Sequence, residues 1–199
     1  MNEIDPTAVI SSNVVIGKYN KILPYTIIDG PTKIGDNNII GPHAVIGSPG
    51  QDTRNPRYDS SQSYIEIGSG NIIREFTAIQ KPCYENITKV GNNVFLMQSV
   101  HIPHDAIIQD DVVITPMCVL AGITRILRGA SISMGVTIQQ RVVVGHFTMV
   151  AMGVPLSKNL RPFSIYVQGK PLRVNHYAVK KFGFQNFKNE TYADMMHKS

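Results

Sequence analysis

The sequence predicts an all-β chain wound as a parallel β-helix of hexapeptide repeats, with a short helical appendage at its C-terminal end. Three observations carry that reading. First, an aliphatic residue returns every six positions, at Ile4, Ile10, Ile16, Ile22, Ile28, Ile34, Ile40 and Ile46; it resumes at Ile67, Ile73 and Ile79, then runs unbroken from Val90 to Leu156. Second, a small or β-branched residue recurs four positions after most anchors, as at Ala8, Val14, Thr26, Ala44, Thr77, Val94, Val100, Ala106, Val112, Cys118, Val136 and Thr148. Third, neither the helical nor the alternating strand period accommodates a repeat of six. Short strands joined by tight corners do, with the anchor filling the interior and the small residue pointing inward beside it. Three hexapeptides close one triangular coil, so twenty-three anchors predict seven to eight stacked coils, hydrogen-bonded at the strand spacing of about 4.8 Å.

Taken in order, residues 1–158 form the β-helix domain, interrupted twice, at about 48–65 and 81–89. The first interruption, "SPGQDTRNPRYDSSQSY", is a long polar excursion, and the second, "KPCYENITK", is shorter and similar in kind. Loops held by a rigid scaffold are where binding residues concentrate. Cys83 and Cys118 both fall on the small inward position and are expected to be buried filler, too few for a disulfide framework. Residues 159–199 change character: Pro162 to Pro171 reads as a linker, and Leu172, Val174, Tyr177, Val179 and Phe182 have helical spacing up to Gly183. Such a helix is expected to close the open end of the coil stack.

With 43% hydrophobic and 17% charged residues over 199 positions, the composition is globular. The chain start lacks a basic, apolar leader pattern, and no apolar run reaches the roughly eighteen residues that span a bilayer, so a cytoplasmic protein without membrane contact is expected. The net charge of +5 and pI of about 9.2 come from dispersed Lys and Arg that cluster only after Arg161. Without aromatic interleaving, this points to a small anionic molecule or an acidic partner rather than to nucleic acid.

Chemistry is concentrated in "FLMQSVHIPHDAII". With Ile102 as anchor, Pro103, His104 and Asp105 take the outward part of a hexapeptide, so His104 is expected at the surface, with His101 facing out before it. The carboxylate of Asp105 can fix the imidazole tautomer and raise its basicity, making His104 a general base near neutral pH. Because one coil is eighteen residues, Gly122 and Gln140 stack in the column of His104. That column offers a base, a backbone N–H unshielded by a side chain for an oxyanion, and an amide for substrate, which is the set that acyl transfer needs. No nucleophile elbow appears, so direct transfer is expected rather than a covalent acyl-enzyme.

The segments "FLMQSVHIPHD", "TKVGNN", "VLAGI" and "YVQGKPLRVNHYAVKKFGF" resemble the UDP-N-acetylglucosamine O-acyltransferases of lipid A biosynthesis, hexapeptide-repeat enzymes built on a left-handed β-helix. The resemblance runs from about Thr7 to Phe184. It implies a homotrimer with sites between subunits, a nucleotide-sugar acceptor, acyl carrier protein or acyl-coenzyme A as co-substrate, and no cofactor or metal. It makes His104 the general base, Asp105 its orienting partner, Gly122 the oxyanion glycine and Gln140 a substrate contact, with His101 alongside. Gln51, Asp52 and Arg54 resemble the loop stretch that touches sugar and phosphate; Asn175 resembles a nucleotide contact, and Lys181 lies with Lys180 in the basic run of the helix. Met152 stands at the acyl-chain ruler, which implies a short acyl group such as acetyl or a hydroxybutyryl unit.

Departures accompany the match. Gln80, Ile123 and Gln139 stand where the family has histidines, and Tyr177 where it has a glutamate, which implies that the chemistry persists and the acceptor has changed. Hydroxyl and amine acceptors need the same base, so N-acylation of an amino-deoxy sugar nucleotide stands beside O-acylation. A zinc-dependent carbonic anhydrase of the γ type and a non-catalytic scaffold are the readings from other classes; His101 and His104 lack the spacing of the former, and the latter would make His104 decoration.

Overall fold

The computed structural model describes residues 1–54 and 63–183, and the statements that follow are of these residues. Each of the twenty-three anchors sits in its own short strand. The strands form three flat sheets of a triangular prism, beginning with Glu3–Ile4, Val9–Ile10 and Val14–Ile16 and containing ten, eight and seven strands. Residues one coil apart pair in parallel, as in Phe95↔Val113 and Ile107↔Arg125.

The anchors line the interior: Ile28, Ile46, Ile79, Ile102 and Ile108 are completely buried, each worth about 2 kcal/mol of burial. Ile4, in the strand at the end of the first sheet, is 47% exposed. The inward small position is filled as expected by Ala44, Thr77, Val94, Ala106, Val112 and Cys118. Upstream coils put asparagine there instead. Asn20, Asn38 and Asn71 are completely buried, and the side-chain oxygen of each accepts the backbone N–H of the next ladder member at 2.9, 2.9 and 2.7 Å. At Val94 the ladder ends, which leaves the Asn71 Nδ2 unpaired.

Both excursions leave from strands of the second sheet, Val45–Ser48 and Ala78–Gln80, and return on strands of the third, Tyr64–Ile67 and Ile87–Val90. The corner after His101–Ile102 lies on that same edge, one coil further on. Residues 55–62 of the first excursion lie outside the described residues.

Three expectations need correction. Cys83 is buried, but it belongs to the second excursion and not to the inward row, because the chain leaves the coil at Lys81 before the inward position is reached. The helix spans His176–Phe182, not Leu172 onward; Arg173–Val174 is instead a strand pairing antiparallel with Ser164–Tyr166. Nor does this helix close the coil stack. Ser164–Tyr166 extends the first sheet, and Tyr166 and Leu172 pack on the aliphatic core, while Ala178 and Val179 of the helix pack on Phe147 and Phe163. No helix among the described residues is long and apolar enough to cross a membrane.

Candidate active site

The corner Pro103–Ala106 turns tightly with Asp105 in the left-handed region at φ 62°, a conformation that aspartate tolerates better than most residues. The turn points the carboxylate back at the neighbouring imidazole, and His104 Nδ1 lies 2.7 Å from Asp105 Oδ2. Behind it, the second excursion wraps the carboxylate: the backbone N–H groups of Cys83, Tyr84 and Glu85 donate to it at 3.2, 3.1 and 2.8 Å. The N–H of Asp105 itself donates to Thr88 Oγ1 at 2.9 Å. Burial pushes the Asp105 carboxyl up, but the His104 contact and the three N–H donors outweigh it, so the group is held below the usual carboxylate range. An ionised Asp105 accepts from Nδ1–H, which fixes the tautomer and leaves Nε2 as the unprotonated nitrogen. His101 has its pKa lowered, chiefly by burial and secondarily by His104.

The expectation of a surface histidine is overturned. His104 is only 8% exposed, because two excursions that the repeat does not encode fold over the corner. A Cβ on Gly50 of the first excursion would stand 2.2 Å from the Cys83 sulfur and 3.0 Å from His104 Cβ. From the second excursion, the Tyr84 ring lies 5.7 Å from the imidazole, tilted by 44°.

The predicted column is present. Ile123 N–H donates to the His104 carbonyl and Arg141 N–H to the Gly122 carbonyl, both at 3.1 Å, so His104, Gly122 and Gln140 follow one another at one edge. The imidazole packs against Gly122: a Cβ there would be 2.2 Å from Cε1 and 2.4 Å from Nε2. Glycine is therefore obligatory if the ring is to keep this position. Gln140 is exposed on the next coil, whereas Ile123, beside Gly122, is buried and apolar.

The remaining predicted residues divide. Asp52 joins the site: Arg54 Nε and Nη2 donate to its carboxylate at 2.9 and 3.1 Å, and the Tyr84 hydroxyl donates to it as well. The Arg54 guanidinium, with Tyr84 second, holds the Asp52 carboxyl far below the usual range. Gln51 is exposed beside it. Asn175 caps the helix: its oxygen accepts from Ala178 N–H at 3.2 Å and its amide donates to the Phe147 carbonyl at 3.1 Å. Lys181 lies over the Tyr177 and Phe182 rings at 5.6 and 5.1 Å, away from the His104 edge. Met152 is 75% exposed at the corner between the first and second sheets, so the second sheet's outer face separates it from His104. Among the described residues no three His, Cys, Asp or Glu side chains come together as a metal site.

Sequence reasoning missed Gly50, Tyr84 and the backbone cradle. Their only signal is that both excursions interrupt the repeat at the same corner.

The family model for bacterial transferase hexapeptide repeats matches residues 13–48 and 87–122, which defines the class as a hexapeptide-repeat transferase fold. A solved UDP-N-acetylglucosamine acyltransferase from Bacteroides fragilis superposes with a TM-score of 0.81 at 30% identity, covering 98% of this chain and 85% of that one. The Campylobacter jejuni enzyme gives 0.81 at 25% identity over 96% and 82%. Among curated relatives, the UDP-N-acetylglucosamine O-acyltransferase of Gloeothece citriformis is 38% identical over 138 residues, 67% of this chain and 50% of that protein. The chain belongs to the UDP-N-acetylglucosamine acyltransferase family, and its fold is the left-handed parallel β-helix. It spans about half the length of the curated relatives it matches.

Proposed function

We propose that the protein is an acyltransferase that moves an acyl group from a thioester, acyl carrier protein or acyl-coenzyme A, to a hydroxyl or amine of a nucleotide-linked sugar. The observation that carries this reading is the His104–Asp105 pair, 2.7 Å apart and laid against Gly122. Neutral His104, donating Nδ1–H to Asp105, takes the acceptor proton on Nε2 as the acceptor oxygen or nitrogen attacks the thioester carbonyl. The tetrahedral oxyanion is met by the Gly122 N–H, which donates to no described residue. Collapse breaks the C–S bond, and the imidazolium returns its proton to the leaving thiolate.

Donor and acceptor classes follow the Gloeothece relative, whose name gives an acyl carrier protein donor and UDP-N-acetylglucosamine. Gln80, Ile123, Gln139 and Tyr177 replace ionisable residues, which supports an acceptor other than that sugar nucleotide. Arg54, 88% exposed at its side chain, is free to swing toward an acceptor phosphate. Asn175, spent on its cap, is read as the anchor of the helix rather than as a nucleotide contact. Met152 supports a short acyl chain running along the second sheet's outer face from His104.

We propose further that three copies assemble. Val9, Ile27, Tyr25, Phe76 and Met117 are 60, 43, 56, 63 and 65% exposed on the second face and the corner between it and the first, an apolar area of the kind that oligomers cover. A groove between two prisms would supply the pocket that one flat face lacks.

The test is release of free thiol from a panel of acyl-coenzyme A and acyl carrier protein donors offered with hydroxy- and amino-sugar nucleotides. We expect turnover with at least one pair and a loss on the order of 10²-fold or more in His104→Ala. No release with any pair, or equal rates in the variant, would reject the reading.

A further inference from the structure

We infer that Tyr84 is a positioning residue that couples the acceptor-binding loop to the general base; the inference rests on the acyl-transfer reading above. Tyr84 meets three parts of the site through three different groups. Its backbone N–H donates to Asp105 at 3.1 Å, its ring lies 5.7 Å from that of His104, and its hydroxyl donates to Asp52. The excursions also meet at the close packing of Gly50 on Cys83, at a hydrogen bond between the Cys83 thiol and the Asp52 backbone, and at Lys81, whose N–H donates to the Ser48 carbonyl at 2.8 Å.

Asp52 has two partners of unlike character. Arg54 is a long, exposed cation, whereas Tyr84 is a rigid ring whose backbone is tied to Asp105. Arg54, 88% exposed at its side chain, can turn from the Asp52 carboxylate to an acceptor phosphate. The Tyr84 hydroxyl then still holds Asp52 in place, with lone pairs left for a donor group on the sugar. The ring meanwhile shields one face of His104 from water, which strengthens its contact with Asp105. The Tyr84 side chain thereby acts on both loop and base.

Two variants separate the hydroxyl from the ring. Tyr84→Phe keeps the ring and is expected to raise the acceptor KM about tenfold with kcat little changed. Tyr84→Ala removes both, and is expected in addition to lower kcat about tenfold and to move the acid limb of the pH–rate profile. A purely structural role would lower the melting temperature without moving KM or that limb. The same variants, with the His104 imidazole followed by ¹⁵N NMR against pH, give a reading that needs no turnover: the titration midpoint is expected to move in Tyr84→Ala and to stay near wild type in Tyr84→Phe. An unmoved midpoint in Tyr84→Ala, or an unmoved acceptor KM in Tyr84→Phe, overturns the inference. A wild-type protein that releases no thiol overturns the acyl-transfer reading instead, and the NMR midpoints then decide the role of Tyr84 alone.

Discussion

The corners at His104 and Gln140 hold the same place in the repeat, two coils apart, yet one is buried and the other lies open. The backbones are alike: Asp105 and Arg141, the next residues in each, have φ of 62° and 65°. What differs is the cover, since Gly50, Tyr84 and the N–H groups of 83–85 close over the first corner and nothing described closes over the second. The comparison teaches that the coil sets where a side chain stands, and the excursions set its dielectric, its partners and so its chemistry.

Removing the charge at the covered corner should have the largest effect. Asp105→Asn keeps shape but loses the anion that orients His104, and acyl transfer should fall by about 10⁴-fold, the scale of orienting carboxylates in triads. A fall under tenfold would mean that the cover, not the charge, makes the base. Core and corner should separate next. Ile108→Ala, in the middle of the aliphatic stack, should cost about 2–5 kcal/mol in denaturant unfolding. Gly122→Ala should barely change unfolding yet lower kcat roughly 10²-fold by driving the His104 ring off its seat. If Gly122→Ala unfolds the protein instead, the ring contact is part of the fold.

Acid should act on the two titrating groups in different windows. His101 has its folded pKa lowered below 6.5, so the unfolded chain binds the proton first; stability present above pH 6.5 declines as pH falls through that value toward the folded pKa. His101→Gln should flatten the decline. Asp105, also lowered, contributes stability present above its unfolded value of 3.8 and lost as pH falls further. Unfolding curves from pH 8 to 3 in the two variants check both. A further test addresses the loop packing: Gly50→Ala should destabilise by about 1–3 kcal/mol, and Cys83→Ala in the same chain should restore much of it, since the sulfur is what the new methyl meets. Simple additivity in that double-mutant cycle would separate the two loops.

The hexapeptide anchors were legible in full because burial in a prism demands the same residue type at the same interval. So was the column of His104, Gly122 and Gln140, which follows from coil length alone. Asparagine at positions 20, 38 and 71 held the inward place in the sequence too, but its role needs the ladder to be seen, for an inward amide is favourable only when the next coil supplies its donor. The start of the helix was misread because Leu172 and Val174 satisfy a helical period while pairing as a strand edge and packing on the last coil.

By itself, then, the sequence determined the coil, its register and the residues that stand at each corner, since periodic burial leaves no other arrangement. Only the tertiary structure decided that His104 is enclosed, that Asp105 is held ionised by backbone donors, that Asn175 is a cap and that Tyr84 joins two loops. Those contacts run between segments of irregular length, where no period ties residue number to position in space.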